Sequence, residues 1–281
     1  MLERGERIWD GRLGSPLAMD YLISNARQLP ALMRGERQAA LLLFPEGKMD
    51  YANALYRNSI TARYLTKATA AAVSRICAEK IAAGGQTAHL VEIGAGTGAT
   101  TAVVAPCLKA CAGKLAVDYL FTDVSQFFLA AARETFRDCP WMRFGLVNID
   151  REFEQQGLAP ESADIVIAAG VLNNAFNTDQ TAKDLLQLLP DGGWLLVVEP
   201  TREFPEMLIS QAFMMTQPED DRKNTKTTFL SVRQWEHVFW QAGAAEVRSL
   251  PSDEHMLAPM EQKFFAVKKD SRTRLKQEES L

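Results

Sequence analysis

The sequence predicts an α/β protein: a parallel, doubly wound sheet preceded by an N-terminal helical cap. Three observations carry this. The stretch His89-Leu90-Val91-Glu92-Ile93-Gly94-Ala95-Gly96-Thr97-Gly98-Ala99-Thr100-Thr101 runs from a short apolar strand, through three alternating glycines, into a helix. Beyond it, short apolar runs alternate with helical patterns, the signature of a parallel sheet. Residues 1–85 instead carry apolar side chains at helical spacing.

The chain of 281 residues can hold one α/β domain plus extra helices, or two small domains. It is 47% apolar and 23% charged, the balance of a globular chain with a real core. A net charge of −4 argues against a general nucleic-acid or membrane surface. Met1-Leu2-Glu3-Arg4 is charged and no long apolar run follows, so neither a signal peptide nor a transmembrane helix is expected. Cys107 and Cys111 share a helix face, but no His or second Cys pair accompanies them. With Cys77 and Cys139 they are read as reduced structural thiols, with no metal. A cytoplasmic protein is expected.

Within the cap, apolar residues recur at Leu17, Met19, Tyr21 and Leu22, then at 41–44, where Pro45-Glu46-Gly47 breaks the run. Helices restart at 51–56 and 64–83, and Gly84-Gly85 ends the last. The cap either covers the cofactor and shapes a substrate pocket or simply packs on the fold. After the glycine stretch, 114–122 is a second strand ending at Asp123, and 127–136 a helix. Strands follow at 142–147 and 163–169, a helix at 179–189, and a fifth strand at 194–198 closed by Glu199-Pro200. Residues 204–215 read as a Met- and Phe-rich helix, either packing in a core or lining a substrate pocket with Phe213, Met214 and Met215. A helix at 232–243 and strands at 246–250 and 262–268 complete the sheet. The expected organisation is a cap or lid at 1–85, a core at 86–268 with a substrate-side insertion at 201–230, and a disordered tail at 269–281.

The glycine stretch is a nucleotide-type cofactor site. Glycine permits the tight turn and close backbone approach, and the following helix offers N–H groups and a positive dipole end. Read as G-x-G-x-x-G/A, Gly94, Gly96 and Ala99 fit a dinucleotide fingerprint. Gly98, however, comes one place early, and Glu92 sits inside the strand, where a carboxylate can receive a ligand ammonium directly or through water. Asp123 lies at the usual distance for an acid that bridges ribose hydroxyls, and it can also cap the next helix. Asp123, Asn148, Asn173 and Glu199 all fall at carboxyl ends of strands, where ligands sit in such sheets.

The string Val91-Glu92-Ile93-Gly94-Ala95-Gly96-Thr97-Gly98 resembles motif I of class I S-adenosylmethionine (SAM) methyltransferases. Residues 119–125, Asn148-Ile149-Asp150-Arg151 with Gln156-Gly157, residues 168–175, Leu189-Pro190-Asp191-Gly192-Gly193 and Glu199 resemble, in order, the methyltransferase domains of polyketide and nonribosomal peptide synthetases. Leu43-Phe44-Pro45-Glu46-Gly47 and Leu55-Tyr56-Arg57 look like that family's upstream helices, so the resemblance covers roughly 40–268. The chain looks like a free-standing version of such a domain or one excised from a larger synthetase.

The resemblance implies a Rossmann-like, seven-stranded class I methyltransferase sheet with SAM as cofactor. It implies cofactor contacts from Glu92, Gly94, Ala95, Gly96, Thr97, Gly98, Asp123, Val124, Asn148, Ile149 and Ala168. Its acceptors are small natural-product intermediates, in some cases tethered to a carrier protein.

Two departures bear on chemistry. Asn148-Ile149-Asp150 stands where the family shows D-I-E; an Asn carbonyl still accepts a hydrogen bond from an adenine amino group. Val171-Leu172-Asn173-Asn174-Ala175 stands where carbon-methylating members carry V-L-H-A-T, so Asn173 replaces their catalytic His while Glu199 keeps its Glu partner. Asparagine is no general base at neutral pH. Asn173 is then expected to orient an amine or stabilised enolate, with Glu199 as a base if burial raises its pKa. His255, after the sixth strand, is a substitute base or an exposed loop residue; His89 and His237 read as structural. Competing readings are a SAM-binding module without turnover and, from the glycine spacing alone, a nicotinamide oxidoreductase.

Overall fold

The computed structural model describes Gly11 and residues 13–270. The chain divides into two compact units. One runs up to Tyr64 and includes Arg202–Thr216; the other comprises Leu65–Thr201 and the chain from Gln217 onward. The division thus falls near residue 64, not 85, and only part of the expected 201–230 insertion joins the helical unit.

The helical unit holds α1 (Pro16–Met33), α2 (Ala39–Leu43) and α3 (Asp50–Tyr56), and the start of α4 (Ile60–Ala82). Ser15 caps α1, its hydroxyl accepting from the Leu17 N–H, and Pro16 sits at the first helical position, where its missing N–H costs nothing. Tyr21, Leu43 and Ala52 form the centre of this unit's core. The predicted 204–215 helix is two pieces, α5 (Pro205–Leu208) and a 3₁₀ turn at Gln211–Met214. The buried Ser210 breaks it: its hydroxyl bonds back to the Glu206 carbonyl at 2.5 Å and its backbone leaves the helical region. Met214 packs against the Tyr21 cluster, the core alternative foreseen for it.

The larger unit is a seven-stranded sheet ordered β3-β2-β1-β4-β5-β7-β6. Its strands are β1 (Thr87–Ile93), β2 (Ala116–Asp123), β3 (Met142–Leu146), β4 (Ile165–Ala169), β5 (Trp194–Pro200), β6 (Ala244–Leu250) and β7 (Gln262–Lys269). Helices α6 (Thr101–Cys111), α7 (Gln126–Thr135), α8 (Thr178–Gln187) and α10 (Val232–Ala242) separate the strands, with a short α9 (Asp221–Thr225) between β5 and α10. β4, Ile165-Val166-Ile167-Ala168-Ala169, is buried over its first four residues, as a central parallel strand must be. α10 starts on a Ser231–Gln234 capping box and ends at Gly243. It buries Trp235 and Phe239, whose rings stack at 5.5 Å over the sheet.

The sheet is mixed, which corrects the expectation of an all-parallel one. β7 runs antiparallel to both β5 and β6. The alternation of helix and strand fails at the last pair: only a short loop with one 3₁₀ turn joins β6 to β7, and a parallel neighbour would need a longer crossover. The tail also begins later than expected, because Lys269 belongs to β7 and its ammonium donates to the Leu189 carbonyl. Residues 271–281 of the expected disordered tail lie outside the described residues.

Strand order reverses between β1 and β4, whose carboxyl ends lie side by side. Such a switch point opens a crevice for a ligand. The glycine loop leaves β1 on one side of it, and residues 170–177 leave β4 on the other.

Candidate active site

The glycine loop is held from below. The Ala95 N–H donates to the Thr122 carbonyl at 2.8 Å, and the Gly96 N–H donates to Asp123 Oδ2 at 2.9 Å. The three glycines have different reasons. A Cβ on Gly94 would lie 2.4 Å from Val171 Cγ2, and one on Gly98 would lie 2.9 Å from the Phe136 ring. Both therefore let neighbours pack closely. Gly96, at φ +53°, would meet nothing nearer than 3.9 Å, so its outer face is open to a ligand. Thr97 sits half-buried beside it.

Glu92 lies behind this loop and is 1% exposed. Its Oε2 accepts from the Thr101 hydroxyl and, at 2.5 Å, from the Tyr119 hydroxyl. Burial pushes its carboxyl up to about 7, against the pull of those two donors. Through Oε2, Glu92 ties β1 to β2 and to the first turn of α6.

Asp123 ends β2, 6% exposed. Besides Gly96 it accepts from the Ser125 N–H at 2.9 Å, so it joins the glycine loop to the start of α7. Burial raises its pKa, opposed by backbone donors from Ser125, Gly96 and Val124. The following Val124 is 65% exposed, and Leu146 at the end of β3 is 48% exposed, so apolar surface flanks the acid. Asn148 is half-buried, its Oδ1 accepting from the Asp150 N–H at 2.9 Å. Gln156 holds it in place, receiving the Asn148 N–H at 2.7 Å and donating to its carbonyl at 3.0 Å.

Two of the expected cofactor contacts have buried side chains. Ile149 and Ala168 are both buried in the central apolar core, at 9% and 0% exposure. Ala168 pairs with Ile93, the last residue of β1, and with Val197, and the strand continues through Ala169 to the exposed Gly170.

Asn173 and Glu199 meet, 26 residues apart in sequence. Glu199, 1% exposed, accepts from the Val171 and Leu172 N–H groups at 2.8 and 2.6 Å and from Asn173 Nδ2 at 2.9 Å. Asn173, 3% exposed, gives its second amide hydrogen to the Pro200 carbonyl at 3.2 Å, and its Oδ1 receives the Leu230 N–H at 3.4 Å. Burial raises the Glu199 carboxyl to about 7, outweighing the hydrogen bonds from Leu172, Asn173 and Val171. That value suits a base, and both carboxylate oxygens also face protein donors. His255 is not among the partners of this pair. Its Nδ1 accepts from the Leu257 N–H at 3.1 Å, and its loop follows β6, the edge strand two places beyond β5.

Sequence reasoning missed Tyr119 and Thr101 beneath Glu92, and Arg222. Arg222 is 1% exposed and donates to the carbonyls of Asn173 and Ala175 at 2.5 and 2.7 Å. The only signal was an acid–base run, Asp220-Asp221-Arg222, in a polar segment.

An open glycine face, a carboxylate at the end of the neighbouring strand and exposed apolar surface beyond it suit a nucleoside cofactor with ribose hydroxyls. Comparisons with known proteins agree. Residues 91–195 match the family described as "Methyltransferase domain". Pyochelin synthetase PchF of Pseudomonas aeruginosa is 39% identical over 216 residues, 76% of this chain but 12% of the synthetase. Polyketide synthase ThaG of Burkholderia thailandensis is 34% identical over 191 residues, 68% of this chain and 3% of that one. The crystal structure of the CurJ carbon methyltransferase superposes with a TM-score of 0.84 at 26% identity, covering 96% of this chain and 70% of that one. The trans-methyltransferase CalH, solved with SAH, shares the fold at a TM-score of 0.66 and 20% identity over 86% of this chain and 64% of that one. The nicotinamide reading raised by the glycine spacing therefore falls. With SAM as its cofactor, the chain belongs to the class I SAM-dependent methyltransferases and is related to the methyltransferase domains of polyketide and nonribosomal peptide synthetases.

Proposed function

We propose that this chain methylates a natural-product intermediate, free or held on a carrier protein as a thioester, at a nucleophile that needs no protein base: an amine or a stabilised enolate. The observation that carries this is the Asn173–Glu199 pair. The acid is present, but its partner is an amide that cannot take a proton. Both Asn173 amide hydrogens and both Glu199 oxygens are engaged within the protein. The Asn173 Oδ1, with one long contact at 3.4 Å, retains accepting capacity, which fits an N–H on the incoming nucleophile.

SAM, when bound, supplies an electrophilic methyl on a sulfonium. On this reading Asp123 accepts the ribose hydroxyls, Asn148 meets the adenine amino group, and Val124 covers the adenine ring. Gly96 and Thr97 lie along the cofactor's open side. An amine acceptor would take the methyl group through its own lone pair, with no protein base required. The ammonium product then loses its proton to solvent. The protein's contribution is alignment and exclusion of water.

The test uses methyl-labelled SAM and a panel of small thioesters bearing a secondary amine, a β-dicarbonyl carbon, an unactivated carbon or a hydroxyl. Label is expected on the amine or the acidic carbon. Transfer only to the unactivated carbon or the hydroxyl would refute the reading. Binding of SAH with no transfer to any of them would favour a module without turnover.

A further inference from the structure

The segment after β5 carries a buried ion pair that the methyltransferase motifs do not account for. Arg222 and Asp220 have side chains 1% and 2% exposed. The pair is bidentate: Nε donates to Asp220 Oδ1 at 2.8 Å and Nη2 to Oδ2 at 2.7 Å. The other guanidinium hydrogens leave the pair. Nη1 donates to the Asn173 carbonyl at 2.5 Å and Nη2 to the Ala175 carbonyl at 2.7 Å. Asp220 Oδ2 also accepts the Thr178 N–H and hydroxyl at 2.9 and 3.0 Å.

Three attachments therefore converge on residues 173–178, the stretch that leads from Asn173 into α8. Leu230, from the same distal segment, adds its N–H to Asn173 Oδ1. A buried ion pair is weak evidence for stability, because desolvation offsets much of its attraction. Its directionality is another matter. A planar fork with five N–H groups fixes two carbonyls and both oxygens of a carboxylate at once, four bonds in a rigid plane where an ammonium has three rotatable donors.

We propose that the Arg222–Asp220 pair is a positioning element for methyl transfer. It sets the main chain at Asn173, so the Asn173 amide meets Glu199 on one side and the crevice on the other. The inference rests on the function proposed above. It identifies Arg222 as a positioning residue, acting through Asn173 and not on the substrate.

The test compares the parent with R222K, which keeps the charge and loses the fork, and with D220N/R222M, which removes the pair without stranding a buried carboxylate. Amide hydrogen exchange of the ligand-free proteins reads the loop, calorimetry with SAH reads the cofactor site, and initial rates on a thioester that the parent methylates read kcat and KM. R222K is expected to exchange at least tenfold faster across 171–178, with the sheet still protected. SAH affinity should stay within threefold and kcat per folded molecule fall at least tenfold. D220N/R222M should do the same or more.

A counter-charge role alone predicts that R222K behaves as the parent, and that result would overturn the proposal. Unchanged protection across 171–178 in both variants would overturn it too, as would a loss spread evenly through β4 and β5. A parent that binds SAH but methylates no thioester counts against the function reading alone, and the exchange result then judges the positioning.

Discussion

At Asp123, one carboxylate has two structural duties and a proposed third. It already receives the Gly96 and Ser125 N–H groups, which steady the loop and the start of α7. If it also accepts ribose hydroxyls, D123A should weaken SAH binding by about 1.5–3 kcal/mol, the range for hydrogen bonds to a charged group. Calorimetry on the folded variant measures this. Unchanged affinity would leave Asp123 with its structural duties alone. Asn173 poses the complementary question. Replacing it by His puts a titratable ring beside Glu199, so N173H should keep SAH affinity and acquire a rate that rises with pH through about 6.5 on carbon-acid thioesters. A flat pH–rate profile would show that the ring is not acting as a base.

The glycine loop is the element where three chemically identical residues separate by environment. Gly94 faces Val171 across the β1–β4 crevice, and Gly96 faces open space. Alanine at either position adopts an unfavourable positive φ, at a cost of about 1–2 kcal/mol. G94A must also push Val171 aside, which adds roughly 1–3 kcal/mol of overpacking. G94A should therefore lose clearly more stability in urea unfolding, while G96A should lose more SAH affinity relative to its stability loss. Equal destabilisation with equal affinity loss would mean that the two positions are not distinguished in solution. The run Asp220-Asp221-Arg222 reads locally as a polar, solvated stretch; α9 buries its arginine because three carbonyl and carboxylate partners await it.

Across the whole molecule, two buried carboxyls bias how stability varies with pH. Glu92 and Glu199 both stand at about 7 in the fold, raised by burial from an ordinary value of 4.5. Below pH 4.5 each is protonated whether the chain is folded or not. Between 4.5 and about 7 the unfolded chain releases these protons and the folded one keeps them, so their contribution to stability falls as pH rises. Each shift corresponds to about 3 kcal/mol over that window. E199Q should flatten its share of the slope, read as the difference in unfolding free energy between pH 5 and pH 7.5, whatever its absolute stability. A slope identical to the parent's would show that Glu199 is ionised throughout.

The local pattern was enough to locate most of the sheet. Strand, glycine turn and helix at 90–101 follow from side-chain periodicity and turn chemistry, which act over a few residues. Asp123 at a strand end was legible for the same reason. The pairing of Asn173 with Glu199 was legible only through family resemblance, since their contact spans 26 residues. Tertiary structure alone decided the rest. It inserted β7 antiparallel between β5 and β6, because a short link cannot cross back over the sheet. It turned Ile149 and Ala168 into the core, and it left His255 on a loop beyond the edge strand. It also brought Arg222 under Asn173. Which partner a buried donor or acceptor finds depends on chain segments distant in sequence, and no periodicity within one segment records that choice.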